Sequence, residues 1–172
     1  MDKKVKNIKF ILVYIIGAVI LTLIDQYSKL MAVNDLKDKN PVELIPGVLE
    51  FSYLENKGMA WGMMSGARVF FIILTVVILC AITVMIVKMP REKKYIPLYV
   101  SLILLCAGAL GNFIDRLLLG YVRDFIYFKL INFPVFNVAD IFVTCSIIMI
   151  VILVFFVYGE DDFEFIKRDS EK

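Results

Sequence analysis

Histidine is absent from the 172-residue sequence, and its absence excludes several large classes of enzyme site. Without an imidazole the chain can build no Ser-His-Asp or Cys-His catalytic centre and no HExxH metal site. The three cysteines, Cys80, Cys106 and Cys145, all lie inside apolar runs. They are interpreted as small packing residues, so no disulfide framework, metal site or other cofactor is expected.

Net charge is also small. Nineteen Lys and Arg residues against 17 Asp and Glu give +2, which is too little to indicate nucleic acid as a partner. Apolar residues are in excess instead: 60% of the chain is hydrophobic, whereas soluble domains hold about 45–50%. The charged residues cluster between apolar runs, which is the pattern of a membrane protein with several spans.

Four apolar runs predict membrane-spanning helices, at approximately residues 10–27, 69–87, 96–114 and 141–159; the first is uncharged only to Ile24 and continues past Asp25. A basic start before a short apolar run is also typical of a cleavable signal peptide. No small-x-small cleavage site follows the run, so the first helix is expected to be retained. The length predicts a single membrane domain over residues 1–172, ending in a solvated charged tail from Glu160.

A lobe that contains a strand is predicted over approximately residues 40–66, a stretch too polar to span. Apolar and polar residues alternate from Leu49 to Tyr53, which indicates a half-buried strand, and Pro46-Gly47 indicates a turn. Met59 to Met64 form an apolar patch around Trp61, interpreted as an interfacial anchor. The predicted fold class is therefore a membrane all-α four-helix bundle with a small extracytoplasmic β lobe.

The orientation follows from the distribution of Lys and Arg. The N-terminal segment and the loop at 88–95 hold four each, whereas the longer stretches 25–68 and 115–140 hold five and three. Because basic residues concentrate on the cytoplasmic side, both termini are predicted to be cytoplasmic. The lobe and residues 112–140 are then extracytoplasmic.

Three aspartates, Asp115, Asp124 and Asp140, lie between two long apolar runs, and two of them are where a span meets a polar connection. A carboxylate at such a depth is costly and usually functional. Two such carboxylates can share a proton, so that one activates water while the other protonates a leaving group. Asp115 precedes Arg116, which indicates local charge compensation. An ion- or proton-transport subunit, or a scaffold whose aspartates only cap helices, would use the same residues, and the residues alone leave these alternatives open.

A second set of polar residues is predicted near the same membrane face. Asp25 and Lys29 are four residues apart on the first helix and can pair. Asn56, Asn112 and Asn137 offer donors and acceptors without charge, which suits them to orient a carboxylate or to hold a peptide backbone.

Together these residues resemble the bacterial lipoprotein signal peptidases, also called signal peptidase II. The resemblance covers nearly the whole chain and rests on five segments in order: Asp25-Gln26-x-Ser28-Lys29, Asn56-x-Gly58-x-Ala60, Gly111-Asn112-x-x-Asp115-Arg116, Gly120-x-Val122-x-Asp124-Phe125 and Phe136-Asn137-x-Ala139-Asp140.

The resemblance implies that Asp124 and Asp140 form the catalytic pair of an intramembrane aspartic peptidase. It assigns Asp115 a structural role beside Arg116. The other matching positions support the pair or bind the substrate: Asp25, Lys29, Asn56, Gly58, Asn112, Arg116 and Asn137.

The resemblance also implies partners and a location. The substrate would be a prolipoprotein with a diacylglyceryl-modified cysteine, cut just before that cysteine in the bacterial plasma membrane. Membrane lipid is then a partner as well, and globomycin-type cyclic peptides are expected to occupy the same site.

Overall fold

The computed structural model describes residues 3–58 and 67–167 of the chain. Within these ranges four helices have the length and composition to cross a membrane: α1 (Lys3–Leu36), α2 (Arg68–Lys88), α3 (Ile96–Leu118) and α4 (Val138–Phe156). A three-stranded antiparallel sheet comprises β1 (Val42–Ile45), β2 (Leu49–Asn56) and β3 (Val122–Phe128), in spatial order β1-β2-β3. The predicted fold class, a four-helix membrane bundle with a small β lobe, is confirmed.

The helix α3 is the centre of the bundle, since it packs against α1, α2 and α4. In its most apolar stretch 44% of the residues are buried, against 17–22% in the other three helices. The outward surfaces of those three are apolar and suit contact with lipid chains. Hydroxyl groups in α2 and α3 bond to the carbonyl one turn earlier, as Thr75 does to Phe71 and Ser101 to Pro97, which satisfies them without water.

The helix α1 extends well beyond the predicted span of residues 10–27, because no proline or glycine interrupts the chain between Gly17 and Pro41. The β lobe packs against the last two turns of α1. Ala32 and Leu36 are buried in a small apolar cluster with Phe125 of β3.

The strand β3 is not among the predicted elements, although the run Val122–Phe128 is rich in the β-branched and aromatic residues that favour strands. It completes the sheet by pairing antiparallel with β2, with Leu54 opposite Asp124 and Asn56 opposite Val122. The strand β2 continues to Asn56, beyond the predicted Leu49–Tyr53. Its added residues lie opposite the part of β3 that contains Asp124.

Two further differences concern the ends of the chain's elements. The helix α4 begins at Val138, three residues before the predicted span, since Asn137 caps it. In the tail, Glu160, Asp161 and Glu164 are exposed as predicted, but Glu160–Lys167 also forms short helical turns, which are not among the predicted elements. Phe163 and Phe165 of these turns pack against Tyr158 and Tyr95. The predicted Met59–Met64 patch with Trp61, and Ala60, lie outside the described residues.

Candidate active site

A cavity of about 600 Å³ opens between the β lobe and the helices α2, α3 and α4. One end is polar and contains both Asp124 and Asp140. The remainder is mostly apolar, with residues from two helices that include Phe71, Leu74, Ile78, Ile141 and Cys145. The cavity therefore combines a pair of carboxylates with an apolar compartment inside the bundle.

Asp124 lies on β3 and is 2% exposed. Its two oxygens each accept one amide hydrogen bond: Oδ1 from Asn137 Nδ2 at 2.6 Å and Oδ2 from Asn56 Nδ2 at 2.8 Å. Burial and, secondarily, the negative charge of Asp140 raise the pKa of Asp124 to about 7, against the lowering effect of the two amides. Near neutral pH this carboxyl group can therefore either hold or release a proton.

Asp140 is the third residue of α4, and its two oxygens have different partners. Oδ2 accepts the backbone N–H of Asn137 at 3.1 Å, which completes a capping box at the start of the helix. Oδ1 accepts Asn112 Nδ2 at 2.8 Å. Asp140 thus caps a helix, as the scaffold alternative requires, but it also lines the cavity beside Asp124.

Each of three asparagine side-chain amides is held in a single orientation by donors that bind its oxygen. Asn56 Oδ1 accepts the backbone N–H of Gly58 at 2.9 Å, and Asn137 Oδ1 accepts that of Asp140 at 3.1 Å. Asn112 Oδ1 accepts from Lys29 Nζ at 2.9 Å and from Asn137 Nδ2 at 3.2 Å. With every amide oxygen engaged, the NH₂ groups are left to face the two carboxylates.

Four fully or largely buried charges lie behind the carboxylate pair. Lys29 Nζ is 2.9 Å from Asp25 Oδ2 and 3.6 Å from Asp115 Oδ2, and the three side chains are inaccessible to solvent. Arg123 Nη2 is 2.6 Å from Asp115 Oδ1. The predicted pairing of Asp25 with Lys29 is present.

The prediction that Asp115 acts beside Arg116 is wrong about its partner. Adjacent residues of a helix point about 100° apart, so Asp115 faces Lys29 and Arg123 while Arg116 faces the cavity. The guanidinium of Arg116 lies 4.8 Å from the ring centre of Phe71 and donates to the Gly58 carbonyl at 3.4 Å. Arg116 is therefore placed to contact a molecule in the cavity.

Two residues outside the predicted site set join this network. Gln26 donates to the Gly111 carbonyl at 3.0 Å and accepts from Arg123 at 2.9 Å. Gln26 is a named position of the first segment that carries the resemblance, but the resemblance assigns it no role. Arg123 directly precedes Asp124, and strand alternation turns it to the opposite side, toward Asp115.

The predicted site residues are brought together around the cavity and the ion network. Asp25 also contacts the far side of the site, because its Oδ1 accepts the backbone N–H of Ala139 in the first turn of α4 at 2.8 Å. Within the described residues no group of three or more Cys, Asp or Glu side chains could hold a metal ion.

Comparison with known proteins identifies the family. The family model described as signal peptidase (SPase) II matches residues 17–156. The chain is 38% identical to a lipoprotein signal peptidase of Enterococcus faecalis over 144 residues, which cover 84% of this chain and 88% of the relative. It is 39% identical to one of Staphylococcus aureus over 145 residues, which cover 83% and 88%.

Solved structures agree with the sequence relatives. A bacterial membrane enzyme determined by the in meso method at 2.3 Å resolution superposes with a TM-score of 0.73 and 35% identity, covering 92% of both chains. Another, at 1.9 Å resolution, gives 0.72 and 37%, covering 84% of this chain and 94% of the other. Since the matched segment runs from α1 to the end of α4 and includes every residue of the site, the chain belongs to the signal peptidase II family.

Proposed function

We propose that this chain is a lipoprotein signal peptidase that hydrolyses the bond before a diacylglyceryl-modified cysteine, with Asp124 and Asp140 as its catalytic pair. The observation that carries the proposal is that both carboxylates line one cavity and are held there by neutral amides. Amide donors fix the position of a carboxylate but add no permanent positive charge to it. The pair is thereby left able to exchange a proton.

In the proposed reaction one aspartate is ionised and the other is protonated. The ionised carboxylate takes a proton from a water molecule as the water oxygen attacks the scissile carbonyl carbon, and the protonated one gives its proton to the carbonyl oxygen. The resulting gem-diol collapses as the C–N bond breaks: one hydroxyl returns its proton to the carboxylate that had given it, and the nitrogen leaves with the proton taken from water. The pKa of about 7 for Asp124 supports such proton sharing near neutral pH.

The apolar part of the cavity suits a lipid-bearing substrate. Side chains of α2 and α4 offer a surface for acyl chains next to the carboxylate pair, and Arg116 offers a donor for a peptide carbonyl. Membrane lipid would border the same opening. Globomycin-type cyclic peptides, which combine a peptide ring with apolar groups, are proposed to compete for this cavity.

The proposed location is the bacterial plasma membrane with both termini cytoplasmic and the active site at the extracytoplasmic face. The β lobe follows the end of α1, opposite the basic loop at 88–95. A cysteine in place of the exposed Lys57 should react with an impermeant maleimide in intact cells, in a background without Cys80, Cys106 and Cys145. A cysteine in place of Glu92 should react only after lysis, and the reverse result would invert the topology.

The catalytic proposal is tested with purified protein and a synthetic prolipoprotein peptide that carries a diacylglyceryl cysteine. Mass spectrometry should show cleavage before that cysteine by the unaltered chain. Asp124→Asn and Asp140→Asn should each lower the rate of cleavage by roughly 10²- to 10⁴-fold, while the peptide still binds. Full activity in either folded variant would exclude that residue from the pair.

The alternative of an ion- or proton-transport subunit is not favoured, because the family and the similar curated proteins are peptidases.

A further inference from the structure

Lys29 is a buried cation that takes no part in the proposed reaction. It lies seven residues before the end of α1, which is about 10 Å along the helix axis. Its ammonium group forms ion pairs with Asp25 at 2.9 Å and Asp115 at 3.6 Å, and it donates a hydrogen bond to Asn112 Oδ1 at 2.9 Å. Asp25 and Asp115 together balance the charges of Lys29 and Arg123, so the contact with the neutral amide of Asn112 is not needed for neutrality.

The third contact decides which way the Asn112 amide points. Asn112 Oδ1 faces the ammonium at 2.9 Å, and Nδ2 faces Asp140 Oδ1 at 2.8 Å. If the amide were turned by 180°, its N–H groups would face the ammonium and its oxygen would face a carboxylate oxygen. Both contacts would then be repulsive, so the ammonium, together with the Asn137 amide that donates to the same oxygen at 3.2 Å, selects the orientation that donates to Asp140.

We propose that Lys29 is a positioning residue of the active site, which holds the Asn112 amide on Asp140 and so fixes that carboxylate relative to Asp124. This inference rests on the proposed function of the pair. Lys29 is not among the residues that line the cavity. It therefore acts on the reaction through Asn112 rather than by contact with a substrate.

A direct effect of charge is the competing explanation, because the positive charge of Lys29 also lowers the pKa of Asp124. The charged groups around Lys29 are Asp25 on its own helix, Asp115 on α3, and the carboxylates of β3 and α4. A decisive variant must remove the hydrogen bond to Asn112 without changing the net buried charge.

Two charge-balanced variants meet this requirement. Asp25→Asn/Lys29→Met removes the charge and every donor at position 29, whereas Asp25→Asn/Lys29→Gln removes the same charge but keeps an N–H donor. Asparagine at position 25 can still accept the N–H of Ala139. The control is Glu55→Gln/Lys37→Met, which removes an exposed ion pair between β2 and the residue that follows α1. Its 2.7 Å contact is away from the cavity.

The experiment measures kcat and KM for cleavage of the diacylglyceryl peptide, and unfolding of each variant in the same detergent. The Met variant is expected to lose roughly 10- to 100-fold in kcat, the size expected from a displaced catalytic group, with KM unchanged. The Gln variant should recover part of kcat, and the control pair should behave like the unaltered chain.

A third comparison shows whether the effect passes through Asn112. In an Asn112→Leu background the change from Lys29 to Met, with Asp25→Asn, should have little further effect on kcat, since the amide that Lys29 orients is gone. Losses that multiply would show that Lys29 acts by charge, and would overturn the proposal.

The remaining outcomes are also decisive. Unaltered kcat in the folded Met variant would overturn the proposal, as would failure of both variants to fold while the control pair folds, since Lys29 would then serve the fold alone. If the unaltered chain itself does not cleave the peptide, the proposed function fails instead.

Discussion

Asn137 Nδ2 donates a hydrogen bond of 2.6 Å to Asp124 Oδ1, and the oxygen of the same amide caps α4. One fully buried side chain therefore ties the strand that carries one carboxylate to the helix that carries the other. The separation of the two carboxylates is set by this amide and by those of Asn56 and Asn112. Catalytic geometry of this kind depends on residues that do not themselves react.

Substitutions at Asn137 should separate helix capping from catalysis. Asn137→Ala removes the cap and the donor to Asp124, and is expected to lose about 1 kcal/mol of stability together with most activity. Asn137→Ser keeps a side-chain oxygen for the N–H of Asp140 but has no amide to reach Asp124. It should regain stability in chemical unfolding without regaining kcat, and a serine variant with full kcat would contradict the assigned role.

The rate should fall as pH rises through about 7. Asp124, whose pKa is raised to about 7, then loses the proton that the pair shares. Two ionised carboxylates can activate water but have no proton for the carbonyl oxygen. A profile of kcat/KM against pH measures this limb. Asn56→Ala should move it to higher pH, because the Asn56 amide lowers the pKa of Asp124, and an unmoved limb would argue against Asp124 as the titrating group.

The same shift predicts the sign of a change in stability. The folded chain holds the Asp124 proton more tightly than the unfolded chain, whose aspartates titrate near pH 3.9. The contribution of Asp124 to the free energy of unfolding therefore decreases as pH rises from about 4 to about 7. Asp124→Asn cannot titrate, so unfolding curves of this variant should lack that part of the pH dependence.

Replacing Gly111 of α3 by alanine should displace the residues that pack against it at the active site. A methyl group there would lie against the Asp25 carboxylate and 3.1 Å from the Ala139 Cβ, and both neighbours are held by the ion network and by α4. We expect about 1–3 kcal/mol of destabilisation, with reduced cleavage. Gly159→Ala, at a site with no neighbour within 4 Å, is the matched control and should leave both measurements unchanged.

Asp115→Asn should destabilise the fold by roughly 3–5 kcal/mol, because it leaves the buried charges of Lys29 and Arg123 without a shared carboxylate. Glu55→Gln removes an exposed partner of Lys37 and should change unfolding little. If Asp115→Asn instead kept its stability and its substrate affinity but lost all cleavage, Asp115 would have to be counted with the catalytic pair.

The fold was largely predictable because lipid imposes a strong constraint on sequence. Spans such as Arg68–Lys88 contain no charge between their ends, and this signal does not depend on what packs against them. The strand β3 was not predictable in the same way. Its residues favour a strand, but its stability comes from pairing with β2 about 70 residues earlier in the chain, a contact that the local sequence does not indicate.

Composition and hydropathy are enough to establish membrane-spanning helices and chemistry without histidine, and they limit the candidate acids to a few aspartates between the third and fourth spans. How these residues pair became visible only in the folded chain. Asp115 faces Lys29 and Arg123 rather than its neighbour Arg116, and Asp124 meets Asp140 through asparagines from β2, α3 and the start of α4. The physical reason is that hydrogen bonds and ion pairs depend on direction and distance, which are set by how helices and strands pack and not by the order of residues along the chain.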